Sequence, residues 1–243
     1  PKIIKSIEID YIIITSDSIE SILPQILSYG ISREKIKVPP KAMIGEHPFE
    51  KENNRLESAR ILYELNQTFS KSKIITVGGT ALGFVRNRDF IKWDSDIDLF
   101  APLKIKNLII NYLKEKGYKP IIESDTCIKG EFHLETKDII PFAIDLFDSD
   151  IDDYIDVYGN HTWKWPTKMF INCSNIIIHG FEMNIPNPIE EYLKGIYGKD
   201  WSKPRPDFCY FDYESSDSRV DFGQVLEFSF VHTDKNLKIL NQK

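Results

Sequence analysis

GGTALGFVRNRDFIKWDSDIDLF, running from Gly78 to Phe100, is the stretch that decides the fold of this chain. Just before it, Lys73 to Val77 is a short apolar run rich in β-branched residues and reads as a buried strand. Gly78-Gly79 ends that strand and lets the backbone turn tightly or approach another group closely. Thr80 to Asn87 then reads as a short helix with Leu82 and Val85 on one side. A strand, a glycine turn and a helix N-terminus expose backbone N–H groups that suit an anion, although most glycine pairs are only turns.

Asp96-Ile97-Asp98-Leu99-Phe100 alternates acidic and apolar residues. On a strand, residues two apart share a face, so Asp96 and Asp98 project together while Ile97 and Leu99 pack behind them. Neighbouring carboxylates repel unless a cation lies between them. Oxygen-only ligands favour Mg²⁺ or Mn²⁺. An isolated D-x-D in an acidic chain is usually an exposed edge. A third acid changes that reading. Pro141 to Phe147 (PFAIDLF) is another strand pattern whose apolar flanks surround Asp145, a costly arrangement unless the acid is paired or metal-bound. If the two strands are neighbours, Asp96, Asp98 and Asp145 form a bed for divalent metal serving phosphoryl or nucleotidyl transfer.

These elements resemble the LicD/fukutin family, whose core motif is close to GGTLLGxxRxxxFIPWDxDIDI. The chain matches at Gly78, Gly79, Thr80, Leu82, Gly83, Arg86, Phe90, Ile91, Trp93, Asp94, Asp96, Ile97 and Asp98. A later I-D-[IL]-F element corresponds to Ile144 through Phe147. A closing element corresponds to Pro186, Glu191-Tyr192-Leu193, Tyr197-Gly198, Trp201 and Pro204. Lys92 departs from the motif, where proline is usual, and adds a cation. The resemblance covers roughly Glu50 to Phe211, and three ordered elements make it far more specific than one motif.

The resemblance implies a metal-dependent transferase that moves a phosphorylated alcohol, such as phosphocholine or an alditol phosphate, from a CDP-activated donor to a hydroxyl of a glycan or lipid-linked glycan. Asp96 and Asp98 would hold the metal against the pyrophosphate. Asp145 would complete that site or accept the acceptor's proton. Gly78, Gly79 and Thr80 would offer donors to phosphate oxygens, with Lys92 as a further cation. Arg86 would offset charge in the transition state, or else pair with Asp89 or Asp94. Asp94 is a further ligand or a supporting acid. The alternatives are a nucleotidyltransferase moving NMP onto a small molecule or protein, and a non-catalytic scaffold in glycan assembly.

The chain has 243 residues, 42% of them hydrophobic, enough for one sizeable core. A net charge of −6 disfavours nucleic acid as a partner. Cys127, Cys173 and Cys209 show no zinc spacing, and free thiols fit a cytosolic protein; the resemblance implies work at the inner membrane face by peripheral association. No apolar run reaches transmembrane length.

The expected fold is α+β: a nucleotidyltransferase-type mixed or antiparallel sheet flanked by helices. Residues 1–48 read as a βαβ-like extension and linker, either the remnant of an upstream domain or an edge extension. Residues 49–212 read as the catalytic domain and 213–243 as a polar tail. Within this frame, Glu52 to Ser70 reads as an amphipathic helix using Leu56, Ala59, Leu62, Leu65 and Phe69, and 104–116 as another helix. Strands are expected at 118–124, 127–135 and 142–147, a hairpin turns at His179-Gly180, and a helix runs from Pro188 to Tyr197. Trp163 and Trp165 share a strand face and, with Trp201 or Tyr210, are candidates for an aromatic cage around a quaternary ammonium. Core packing is the commoner use of such a pair. Lys129 and His133 are further candidates near the acids; His161, His179 and His232 show no partner spacing.

Overall fold

The structure is a computed structural model that describes residues 9–16, 19–43, 45–158 and 161–209. At the N-terminal side, β1 (Ile12–Ile13), α1 (Ile19–Ser28) and β2 (Ile36–Lys37) form the expected strand–helix–strand unit, with the strands parallel. Parallel neighbours need a crossover, and α1 supplies it. Ile14, Ile19, Leu23 and Ile36 make a small core of their own. The linker closes with Phe49, which is fully buried and stacks on Phe90 at 4.6 Å.

The helix α2 (Glu52–Thr68) buries Ala59, Leu62 and Leu65 as its spacing predicts. Leu56 departs from expectation and is 48% exposed. In the first turns the inward positions go to Asn54, Arg55 and Ser58, which turns the buried stripe away from Leu56.

Next come β3 (Ile75–Thr76), α3 (Gly78–Asn87), β4 (Ile97–Pro102), α4 (Lys106–Glu115), β5 (Lys119–Glu123), β6 (Cys127–His133) and β7 (Ile139–Phe147). Their strands form a sheet of order β3-β4-β7-β6-β5. β4 and β7 are parallel, and the other neighbours are antiparallel, so the sheet is mixed and the fold α+β. The register aligns Asp98 with Ala143 and Phe100 with Asp145, which puts Asp98 and Asp145 on one face. On the other face Ile97, Leu99, Ile128 and Ile144 share a core with α2 and α4.

The chain continues through β8 (Asp153–Tyr158), β9 (His161–Pro166), α5 (Lys168–Ile171), β10 (Ser174–Ile178), β11 (Phe181–Ile185) and α6 (Ile189–Tyr197). Ile75, Phe100 and Phe147 pack with residues of β9, α5 and α6 on the acidic face of the sheet. The β10–β11 hairpin turns at His179-Gly180 as expected. The tail 213–243, together with Tyr210 and His232, lies outside the described residues.

Candidate active site

The glycine pair is explained by two carboxylates. Both glycines fall inside the first turn of α3, not in a loop before it. Gly78 has φ of 55°, and a Cβ there would lie 2.4 Å from Asp98 Oδ2. A Cβ on Gly79 would lie 2.4 Å from Asp94 Oδ2. Each glycine therefore makes room for an acid of the WDxDxD cluster. The helix start and β4 are also tied by hydrogen bonds: the Gly79 amide donates to Asp98 Oδ2 at 3.1 Å, and the Asp98 amide donates to Thr80 Oγ1 at 3.1 Å.

This corrects the expected phosphate cradle. The Gly78 amide donates to the Tyr192 hydroxyl at 3.2 Å, and the Gly79 amide is occupied by Asp98. Thr80 is buried, with its hydroxyl oxygen holding β4. Anionic residues of the chain itself compete for the helix N-terminus, so these three residues position Asp98, and the Gly78 and Gly79 amides are engaged within the chain. Lys92 is exposed and does not line the cleft described below, although its neighbours Ile91 and Trp93 do.

Asp145 sits opposite Cys127 on β6 and Phe100 on β4. Burial raises its pKa, opposed by a hydrogen bond from the Cys127 thiol and by the charge of Lys129. The same burial, with the Asp145 charge, pushes the Cys127 thiol up, so it stays protonated as the donor. Asp96 lies just before β4 and makes no hydrogen bond or ion pair among the described residues. The structure brings Asp98 and Asp145 to one sheet face. Among the described residues no three His, Cys, Asp or Glu side chains are grouped to hold a metal ion by themselves. The oxygen-only donors still fit a hard divalent cation of the Mg²⁺ type, which commonly takes one or two carboxylates and fills its shell with water and substrate phosphate.

A fourth acid escaped the sequence reading. Asp156 lies on β8, a strand not anticipated, and its pKa is raised to about 7, first by burial and then by the Asp145 charge. Tyr154 and Tyr192 are held well above the usual tyrosine value, chiefly by burial and then by Asp156. Tyr192 also feels Asp98 and Asp145, so it stands among all three acids as a neutral hydroxyl. The alternation of Tyr154 and Asp156 in a short polar segment was the only sequence signal, and alone it is weak.

Trp163 and Trp165 are 3% and 4% exposed and belong to the core, with Trp165 against Tyr192 at 5.0 Å. They form no surface cage. The Trp165 indole lies within electrostatic reach of Asp156, yet its Nε1 is buried without a hydrogen bond of proper geometry.

Arg86 does not pair with Asp89. Its Nε donates to Asn87 Oδ1 at 2.9 Å, while Asp89 is taken by Arg55 and His179. Burial lowers the pKa of Arg86, and Tyr197 and then Asp94 oppose that shift. Arg86 opens into a cleft that also touches Gly79, Asp94 and the segment after α6. Lys129 and His133 are exposed on β6, with His133 3.5 Å from Glu131. His179 also has a partner, 2.8 Å from Asp89, a contact the sequence spacing did not reveal.

Residues 73–188 match the model of the LicD/FKTN/FKRP family nucleotidyltransferase domain. The match runs from the approach to β3 to the cap of α6 and includes all the acids discussed above. A solved structure of a lincosamide antibiotic adenylyltransferase, LnuA, with lincomycin bound, is similar over 64% of this chain and 93% of that chain, at 13% identity and a TM-score of 0.40. No curated protein matches the chain. No helix among the described residues is long and apolar enough to cross a membrane.

Proposed function

We propose that this chain, whose residues 73–188 belong to the LicD/fukutin family, is a transferase that moves a phosphorylated alcohol from a CDP-activated donor to a glycan hydroxyl. The observation that carries the reading is the carboxylate pair Asp98 and Asp145 on one face of parallel strands, with Asp98 fixed by the first turn of α3. In this reading the acceptor hydroxyl oxygen attacks the donor's β-phosphorus. The phosphorus–oxygen bond to CMP breaks, CMP leaves with the bond electrons, and the hydroxyl proton passes to a carboxylate. Asp145 suits that last role, because burial raises its pKa above the ordinary carboxylate value and so makes it a better proton acceptor.

Asp98 and Asp96 would hold a Mg²⁺ or Mn²⁺ ion, which when bound would supply positive charge against the donor pyrophosphate. The chain's own contribution is to orient those acids. Thr80 and Gly79 fix Asp98, Cys127 fixes Asp145, and Arg86 offers a guanidinium to the departing phosphate. The acceptor is a cell-surface glycan or its lipid-linked precursor, reached from the cytoplasmic face of the membrane.

The test is thermal stability with Mn²⁺ and a panel of CDP-choline, CDP-ribitol, CDP-glycerol, CTP and ATP. A ligand that binds only the folded state raises its melting temperature. A rise with one CDP-alcohol that disappears in Asp98→Ala supports the reading and names the donor. A rise with nucleoside triphosphates alone favours transfer of NMP, which the same acids could serve, and a donor labelled in either half would then show which part reaches the acceptor.

A further inference from the structure

The nucleotide-activated donor proposed above must bring an aromatic base and two phosphates to Asp98, yet the Gly78 and Gly79 amides are already occupied. Side-chain cations near Asp98 are then the chain's own means of meeting the phosphates. Beside Gly79 lies a cleft built from three segments: α3, the Ile91–Asp94 turn, and the stretch following α6. Its cations are Arg86, Lys203 and Arg205, and its aromatic walls include Trp93, Tyr197 and Trp201.

Three features mark it as a built site and not a surface fold. Trp93, Tyr197 and Trp201 are half-buried and pack against the core cluster while also lining the cleft, so their rings are held. Two of the cations are held by neighbours: Lys203 Nζ is 3.0 Å from Asp200, and the Arg205 guanidinium is 5.5 Å above the Phe208 ring and 3.3 Å from Asp207. Arg86 is partly desolvated, which strengthens its attraction for an incoming anion. The cleft meets the acids directly, because Gly79 lines it and also donates to Asp98, and Asp94 lines it against Gly79.

We infer that this cleft is the donor's nucleotide subsite, in which the base stacks on the Trp93 and Trp201 side chains and the diphosphate lies against Arg86 at the Gly79 end. Aromatic rings beside guanidinium and ammonium groups suit a planar, anionic ligand. The arrangement assigns a task to the closing Tyr197-Gly198…Trp201 element, which the catalytic acids leave without one. It rests on the donor reading above, but it concerns where the nucleotide sits and not which alcohol it carries.

The experiment is calorimetric titration of the full chain, with Mn²⁺, against CDP, CMP, ATP and inorganic pyrophosphate, in wild type, Trp201→Leu, Arg86→Gln and Lys203→Ala. Trp201→Leu is expected to weaken CDP and CMP by about 5- to 100-fold while leaving pyrophosphate within about twofold, as for loss of one stacked base. Arg86→Gln is expected to weaken CDP and pyrophosphate together. Lys203 is exposed at the rim, so Lys203→Ala keeps the test open if the Trp201 variant does not fold, and a weaker CDP affinity with unchanged melting temperature is expected there. CDP affinity unchanged in Trp201→Leu and Lys203→Ala would overturn the subsite. Binding of ATP but not CDP to wild type, weakened by the same variants, would uphold the subsite and sink the CDP reading. Absence of any nucleotide binding to wild type would overturn both.

Discussion

The Tyr192 hydroxyl accepts the Gly78 amide at 3.2 Å, joining α6 to the first turn of α3. Tyr192 is 1% exposed, so the hydroxyl is held where water does not reach it. Tyr192→Phe would leave the Gly78 N–H without that acceptor, at a cost of about 1–3 kcal/mol. The expected result is a lower denaturation midpoint with an unchanged slope, together with slower turnover because the start of α3 also sets Asp98. A midpoint equal to wild type would mean that the amide finds another partner.

Gly78 and Gly79 are expected to respond differently to alanine. At Gly79 the added Cβ meets only the Asp94 carboxylate, 2.4 Å away at Oδ2, and the backbone is ordinary helix. Alanine also favours the helix by roughly 0.8–1 kcal/mol. Gly79→Ala should therefore keep the melting temperature near wild type while displacing Asp94 and lowering activity by about tenfold or more, the loss seen when groups supporting a metal site are disturbed.

At Gly78 the added Cβ meets Asp98 Oδ2, Cγ and Cβ at 2.4, 2.9 and 3.0 Å, and φ is positive. Gly78→Ala should cost about 1–3 kcal/mol from overpacking, and left-handed strain adds to it. Thermal melts of the two variants side by side check the contrast. Equal melting temperatures would contradict it.

The parts of the site legible in the sequence are those fixed by short-range pattern. Period-two alternation placed Asp98 and Asp145 on strands, and the glycine, proline and hydrophobic spacing placed α3, α6 and the β10–β11 hairpin. What the sequence hid depends on elements distant in the chain. Asp156 joins the acids only because β8 packs over the sheet, and Tyr192 reaches Gly78 only through α6. The glycine pair invited a phosphate reading because open helix amides bind anions, but the anions nearest to hand are Asp98 and Asp94. Trp163 and Trp165 share a face as expected. Whether that face is surface or core is a tertiary fact, and it is core.

Asp89 joins three elements. Its Oδ2 accepts from Arg55 Nε at 2.9 Å, its Oδ1 lies 2.8 Å from His179 Nε2, and Arg55 also donates to the carbonyls of Phe49 and Glu50. Arg55 is 8% exposed, so Asp89→Ala leaves a guanidinium largely out of water without its carboxylate. Breaking one side of such a pair costs roughly 3–5 kcal/mol when fully buried, and somewhat less here because the two carbonyls remain. The expected outcome in urea is a large drop in midpoint, partly restored in the double variant Arg55→Met with Asp89→Ala. A loss no greater than that of an exposed pair would place Arg55 in water.

Asp156 gives the pH prediction. Its pKa is about 7 in the folded chain against an ordinary value of 3.8, so the folded state binds the proton more tightly than the unfolded one. Between those two values the folded chain carries more protons at this residue, and stability from this group falls as pH rises. Its contribution is complete below about pH 4 and lost as pH climbs through about 7. Asp156→Asn removes the titration while keeping a similar shape. With chelator present throughout, wild type should therefore lose stability relative to the variant from pH 5 to pH 8, with a difference that grows up to about pH 7 and then levels off. Urea midpoints measured across that range decide the matter. A constant difference between the two proteins would mean that Asp156 is ionised in the fold and held by a partner. In that case the negative charge near Tyr192 and Asp145 would be greater at neutral pH, and Asp156 on β8 would stand near Asp145 as a second ionised acid.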